Sequence, residues 1–399
     1  MGMRITTSMM MNTYRYNLQG STSNLSSARN RVLSGRNFDS YMENPASATQ
    51  AWRIRRAMSD NFDYQANNSD TYSRFNIAWT TMGVVNNELV DKTGRFSTIM
   101  GEDGSIGAGR QPLGEVLDKT AETIIQAMNS AKYGDHFVFS GDDEMNPPFS
   151  WSADMKTLYY RGVDVNAQEV KMPEGKRPPW APQEGYELPD PNKMPPKHVA
   201  VPPATLSADQ EKENEWIDYY QSDWAKLQAF AHEEQNIDLG MGLREDADGK
   251  LINGTAFDRS LPGLNMLGGF GTDDEGDPKN VVLIMKRLGE LFSDSNPDSG
   301  AWGHEGDEEE AMRLMNKLNA AHHRTTDSYV EIETRSKFLK ENQTRLETQG
   351  DYLQEERANL EQVDLADAIT EFSWDYYCYS AALKVGTQLL SQSLLDYMN

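Results

Sequence analysis

Apolar residues recur at every seventh position near both ends of the chain. Met11, Leu18, Leu25 and Val32 form one row, with Tyr14, Ser21 and Ala28 three residues behind its first members. Phe75, Met82, Leu89 and Phe96 repeat the spacing, accompanied by Ala78, Val85 and Ile99. Ile332, Leu339, Leu346, Leu353 and Leu360 form a longer ladder, whose companion row is polar at Asn342, Gln349 and Glu356 before Val363. A seven-residue period held over several turns predicts long, supercoiled helices. A polar row inside such a seam lowers stability and fixes register.

Breaks in the pattern divide these helices. A residue before proline avoids the helical well, so Asn44-Pro45 predicts a turn and a hinge after the first helical pass. A glycine-rich stretch, 101–112, precedes a helix over 113–132 with Leu113, Val116, Leu117, Ile124 and Met128 on one face. His136 to Gly141 and Leu158 to Gly162 read as strands. Residues 173–203 hold ten of the seventeen prolines and read as extended surface coil. An acidic, aromatic helix follows over 207–235, then glycine-rich β-hairpins over 240–276, then helices over 279–292 and 307–399. The predicted fold class is α+β, mainly α: long antiparallel coiled-coil helices from both termini with an inserted β-containing outer domain. The expected parts are 1–45 with 361–399 as an inner terminal-helix domain, 46–164 with 281–360 as a coiled-coil rod, and 165–280 as a variable outer domain.

Composition narrows the function. The chain has 399 residues, a hydrophobic share of 38% and a net charge of −24, which suits a molecule with much exposed surface. The deficit of Lys and Arg argues against nucleic acid as a partner. No apolar run of about 18 residues exists, so no membrane span is expected. The start lacks the layout of a cleavable signal peptide. The single cysteine, Cys378, cannot form an intrachain disulfide, which suits a reducing compartment or a protein exported unfolded. Residues 1–60 carry eight Arg against three acidic residues, a local charge of +5, so the rest of the chain carries −29. That asymmetry allows head-to-tail attraction between copies.

The residues offer little chemistry. His232-Glu233 lacks a second histidine four positions on, where Asn236 stands. His322 and His323 are adjacent, so their rings are expected to diverge. Asp246 to Gly249 reads as a hairpin turn, because no glutamate closes a calcium loop. There is no nucleophile elbow, and Cys378 has no nearby histidine in sequence. No catalytic residue, metal site or cofactor is assigned, and the chain is not expected to be an enzyme.

Further runs carry a family resemblance. Arg4 to Met10, Leu33-Ser34-Gly35-Arg36, and Glu43-Asn44-Pro45-Ala46-Ser47-Ala48 resemble the start of bacterial flagellin-family proteins. The family usually has two aspartates before that proline, where this chain has Glu43 and Asn44. Val363 to Ile369, Ala381 to Gly386 and Ser393 to Tyr397 are similar to the family's C-terminal end. Within the family, Gly134 to Gly141, Pro147-Pro148-Phe149, Ile237 to Gly242 and Thr255 to Asp258 resemble the hook–filament junction branch.

The resemblance implies a structural subunit joining hook and filament, with filament flagellin as the alternative. It implies export through the flagellar apparatus, an extracellular place in the flagellum, and as partners other copies in a ring, the hook-side junction protein and flagellin. An export chaperone on the C-terminal helix is also expected. The expected assembly interface is Met11, Leu18, Leu25 and Val32 with Leu365, Ile369, Leu383, Leu390 and Leu394. Residues 11–32 should pack antiparallel against 372–397, with Leu18 near Leu383 or Leu390. Terminal helices with weak companion rows bury too little alone and should order fully only beside neighbours.

Overall fold

The computed structural model describes residues 7–38, 42, 44–90, 110–182, 186–199, 206–247, 249, 251–252, 254–296 and 301–398. It divides into two compact units: Met1–Gln65 with Thr344–Asn399, and Ala66–Gln343. Helices α2 (Pro45–Gly83) and α8 (Asp307–Glu361) each contribute to both units. The protein is mainly helical with three small antiparallel sheets.

The first unit holds α1 (Thr7–Ser34), the start of α2, the end of α8 and α9 (Leu365–Met398). Asn44 does not simply bend the chain: its side-chain oxygen accepts from Ser47 N at 3.1 Å, so it caps α2, and Pro45 is the first helical residue. Asp364 caps α9 in the same way through Ala366 N, at 2.8 Å. Ala51, Ile54 and Asn61 of α2 are buried, as are Leu346 and Leu353 of α8. Asn61 Nδ2 and Gln65 Nε2 both donate to Leu346 O at 3.1 Å.

The second unit has one large core. Phe75, Ala78, Met82 and Val85 face it from α2 and the π-helical turn Val84–Val90, while Ile332 and Leu339 face it from α8. Phe75, Ala78, Met82 and Val85 of the 75–99 heptads are therefore core; Phe96, Ile99 and the Leu89 side chain lie outside the described residues. Helix α3 (Arg110–Ser130) packs on α7 (Val281–Ser293), which is buried almost all round. The two helices approach closely where Gly114 meets Gly289, and Lys286 Nζ pairs with Asp118 at 2.6 Å. Beyond α3, β1 (Lys132–Tyr133) pairs with β2 (His136–Phe137). Strands β3 (Phe149–Trp151), β4 (Leu158–Tyr160) and β5 (Val163–Asp164) form a meander. Asn129 holds β3 with two bonds: its amide donates to Phe149 O and accepts from Phe149 N.

The middle differs from expectation in three places. The 207–235 helix is two, α4 (Ala208–Gln221) and α5 (Asp223–Ala231), because Ser222 ends the first and caps the second through Ala225 N. The 240–276 stretch holds bridged antiparallel turns, Glu245 with Leu251 and Thr272 with Pro278, rather than a continuous run of hairpins. Strand β6 (Asn236–Ile237) pairs with β7 (Phe257–Asp258), and α6 (Gly263–Met266) follows. The proline-rich segment is not merely surface coil. Ala181 is buried and Met172, Trp180 and Met194 pack against an aromatic cluster of Trp216, Tyr219, Tyr220 and Trp224. Proline excludes helix there but does not exclude apolar side chains between prolines from packing.

Candidate functional site

Helices α1 and α9 pack together within the first unit. Their antiparallel register is set by two contacts. Arg31 Nη1 pairs with Glu371 Oε2 at 2.5 Å, and a Cβ on Gly386 would overlap the Tyr14 side chain. Leu18 therefore falls opposite the turn of α9 that contains Leu383.

The seam itself is small and partly polar. Ala28 of α1 and Ala368 and Gly386 of α9 are buried, while Met11, Leu18, Leu25 and Val32 are half-buried. On α9, Phe372, Asp375, Tyr379 and Ala382 are half-buried, so the face turned inward is Ala368, Asp375, Ala382 with Phe372, Tyr379, Gly386. Those are two heptad rows, and the second ends in a glycine that admits Tyr14.

The expected interface residues of α9 lie elsewhere on the helix. Leu365 is 54% exposed, Ile369 52% and Leu383 42%. Trp374, Tyr376, Tyr377 and Val385 are exposed with them, as are Met9, Met10, Tyr16 and Leu33 of α1. Ile369, Tyr376 and Leu383 themselves recur every seventh residue, so α9 carries an outer apolar row besides its inner one. The side chains of Leu390 and Leu394 lie outside the described residues. The sequence could have yielded this split: Ala368, Ala382 and Gly386 are the small residues that close helix approach requires, one position from the large ones.

The two connections of this unit are tied to each other. Gly35 has φ +67°, the left-handed conformation that ends α1. Asn37 N donates to Glu361 O at 2.8 Å, and Val363 N donates to Gly35 O at 3.0 Å. Asn37 Nδ2 also donates to Gln362 O at 2.8 Å. A cleft of about 580 Å3 opens beside these strands, lined by Arg36, Arg55, Arg357 and Glu361 among others.

One group of carboxylates in the second unit has metal-like convergence. Oxygens of Asp273, Glu275 and Asp277 lie within 4.8 Å of one another. The Lys317 ammonium sits among them at 2.5 to 2.7 Å, and Arg313 Nε reaches Asp277 at 2.6 Å. Burial lowers the Lys317 pKa, but its hydrogen bonds to Asp273, Asp277 and Glu275 outweigh that and raise it overall. The chain's own cation thus occupies the place a metal ion would take. The His322 and His323 rings do not diverge as expected; they lie nearly parallel with centroids 6.2 Å apart. Cys378 is exposed on α9. Among the described residues no helix is long and apolar enough to cross a membrane.

Comparison with known proteins bears on the N-terminal end. Residues 5–144 match the family model of the bacterial flagellin N-terminal helical region. No curated protein sequence matches the chain. A solved structure, "Structure of putative flagellar hook-associated protein from Vibrio parahaemolyticus", superposes with a TM-score of 0.49 at 12% identity, covering 80% of this chain and 100% of that one. A likeness that loose assigns no role. The N-terminal match spans α1, α2 and α3 with the first hairpin, so this end of the chain is similar to the flagellin N-terminal helical region.

Proposed function

We propose that this chain is the structural subunit joining hook and filament in the bacterial flagellum, and that it assembles with copies of itself through its terminal helices. The match of residues 5–144 to the flagellin N-terminal helical region supports a flagellar structural role. The observation that carries the assembly reading is the outer row of α9. Helix α9 already packs on α1, yet Leu365, Ile369, Tyr376 and Leu383, which share one side of the helix, stay uncovered. A cluster of large apolar side chains left open on a folded chain marks a contact surface. The junction role in particular draws support from the resemblance of Gly134–Gly141 and Pro147–Phe149 to that branch. Export through the flagellar apparatus, a chaperone on α9, and contacts with flagellin and the hook-side junction protein belong to the same proposal. So does an outer domain spanning 165–280.

Two measurements test it. Ile369→Asp and Leu383→Asp should abolish assembly while circular dichroism of the purified chain barely changes, because both side chains already face water. Labelled antibody on sheared flagella should mark the filament base as a minor species. Labelling along the whole filament would make the chain a filament subunit instead.

A further inference from the structure

We infer that the cleft beside the two tied connections of the first unit is a carboxylate socket for a second copy of this chain. Three guanidinium groups line it, from Arg36, Arg55 and Arg357, against one carboxylate, Glu361. Arg55 Nη2 pairs with Glu361 at 2.7 Å, which neutralises one charge of each sign. Arg36 and Arg357 form no ion pair among the described residues, so the cleft keeps two positive charges. Guanidinium groups held in a concavity suit carboxylates, which they bind with paired, charge-assisted hydrogen bonds.

The occupant follows from charge and geometry. Outside residues 1–60 the chain carries −29. In the same unit, α8 presents Glu347, Asp351 and Glu355 at four-residue spacing, all exposed, hence on one helix face. That stripe cannot fill the cleft of its own chain. Glu355 and Arg357 are two residues apart on one rigid helix, and such side chains do not face each other. The stripe of a neighbouring copy has no such constraint. Socket and stripe are different patches of one surface, so the contact is heterologous: each copy offers both halves, and the contact repeats from copy to copy. This rests on the self-assembly reading above and names one of its contacts.

A charge-swap mixing experiment tests it. The first variant carries Arg36→Glu and Arg357→Glu; the second carries Asp351→Arg and Glu355→Arg. Each alone sets like charges against each other and should lower the polymer sedimented at low salt by about tenfold or more. Mixed in equal amounts, each socket can meet an opposite stripe, and assembly should return close to the parent level. Circular dichroism of each variant should match the parent, since these side chains are exposed or half-buried. Either variant assembling alone as the parent does would overturn the contact. So would failure of the mixture with both variants folded, which would mean that the arginines or acids serve a different partner. If the parent itself does not assemble, the self-assembly reading falls and the socket falls with it, a result distinct from the other two.

Discussion

Asn342 takes a place in the 332–360 ladder's companion row where leucine would bury more apolar area. Its amide donates to Asn68 Oδ1 at 2.9 Å and to Leu239 O at 3.2 Å. Asn68 donates onward to Leu339 O and Gln343 Oε1. Both asparagines are buried, so the amides have no water to fall back on. Asn342→Leu alone should lower stability in urea by about 1–3 kcal/mol, because Leu239 O and Asn68 Oδ1 lose their donor. The Asn68→Leu, Asn342→Leu pair should recover part of that loss, since neither polar side chain then needs a partner. A single variant as stable as the parent would mean that these bonds only replace ones made to water. Gly114 is a second sensitive position, for steric reasons. A Cβ there would lie 2.7 Å from Gly289 O and 2.8 Å from Ser293 N, both backbone atoms that move only with α7. Gly114→Ala should cost about 1–3 kcal/mol, seen as a lower thermal midpoint. The polar seam position was legible from the seven-residue spacing. The glycine contact was not, because a close approach between helices more than 150 residues apart leaves no local period.

Short elements are where sequence and structure part. The long helices announce themselves through many repeated apolar positions; 113–132 and 279–292 match α3 and α7 within a few residues, whereas α1 ends at Ser34, well before the expected turn, and 307–399 is two helices, α8 and α9. The two-residue strands repeat nothing: composition pointed to the runs that hold β2 and β7, while β1 and β6 were not expected. The proline-rich segment misled for a related reason: its prolines describe the backbone, while Trp180, Ala181, Met172 and Met194 decide the packing. Trp180 Nε1 donates to Glu213 Oε1 at 2.9 Å, and His198 Nε2 lies 2.7 Å from Glu213 Oε2. Bonds from His198 and Trp180 hold the Glu213 carboxyl below the usual range. Deleting 173–199 should therefore open the aromatic cluster, shifting tryptophan emission to the red and raising dye binding. An unchanged spectrum would mean that α4 and α5 cover the rings without it. The 273–277 loop makes a pH-dependent tie to α8. Asp277 accepts from Arg313 and Lys317, which holds its pKa below the ordinary carboxylate value. A folded pKa below the unfolded one adds stability that is complete above about pH 5 and fades as the pH drops through the folded value. Asp277→Asn should lower the thermal midpoint at pH 7 and have progressively less effect toward pH 3.

Assembly of the whole molecule depends on which face of α9 a neighbour covers. The sequence displayed an aromatic and leucine-rich tail, but inner and outer rows sit one residue apart and share one period, so only the small residues Ala368, Ala382 and Gly386 signalled its division into faces. Packing decides it: Ala368, Ala382 and Gly386 turn toward α1 together with Phe372 and Tyr379, while Leu365, Ile369, Tyr376 and Leu383 remain outside. Cys378 provides a direct reading of the Trp374 side of α9, which lies across the helix from the Ile369, Tyr376 and Leu383 row. It is the chain's single cysteine and is exposed, one residue past Tyr377 (72% exposed) and four past Trp374 (70% exposed). In the monomer its thiol should react with a soluble disulfide reagent nearly as fast as a free thiol does. If copies cover α9 by the aromatic face, the rate in assembled protein should fall by tenfold or more, since attack requires an accessible thiolate. Dissociation should restore the fast rate, which separates coverage from irreversible oxidation. The Ile369→Asp chain, kept monomeric, should stay fast at any concentration. Equal rates in monomer and assembly would mean that the Trp374–Cys378 side of α9 still faces solvent in the polymer, and that copies meet through some other surface.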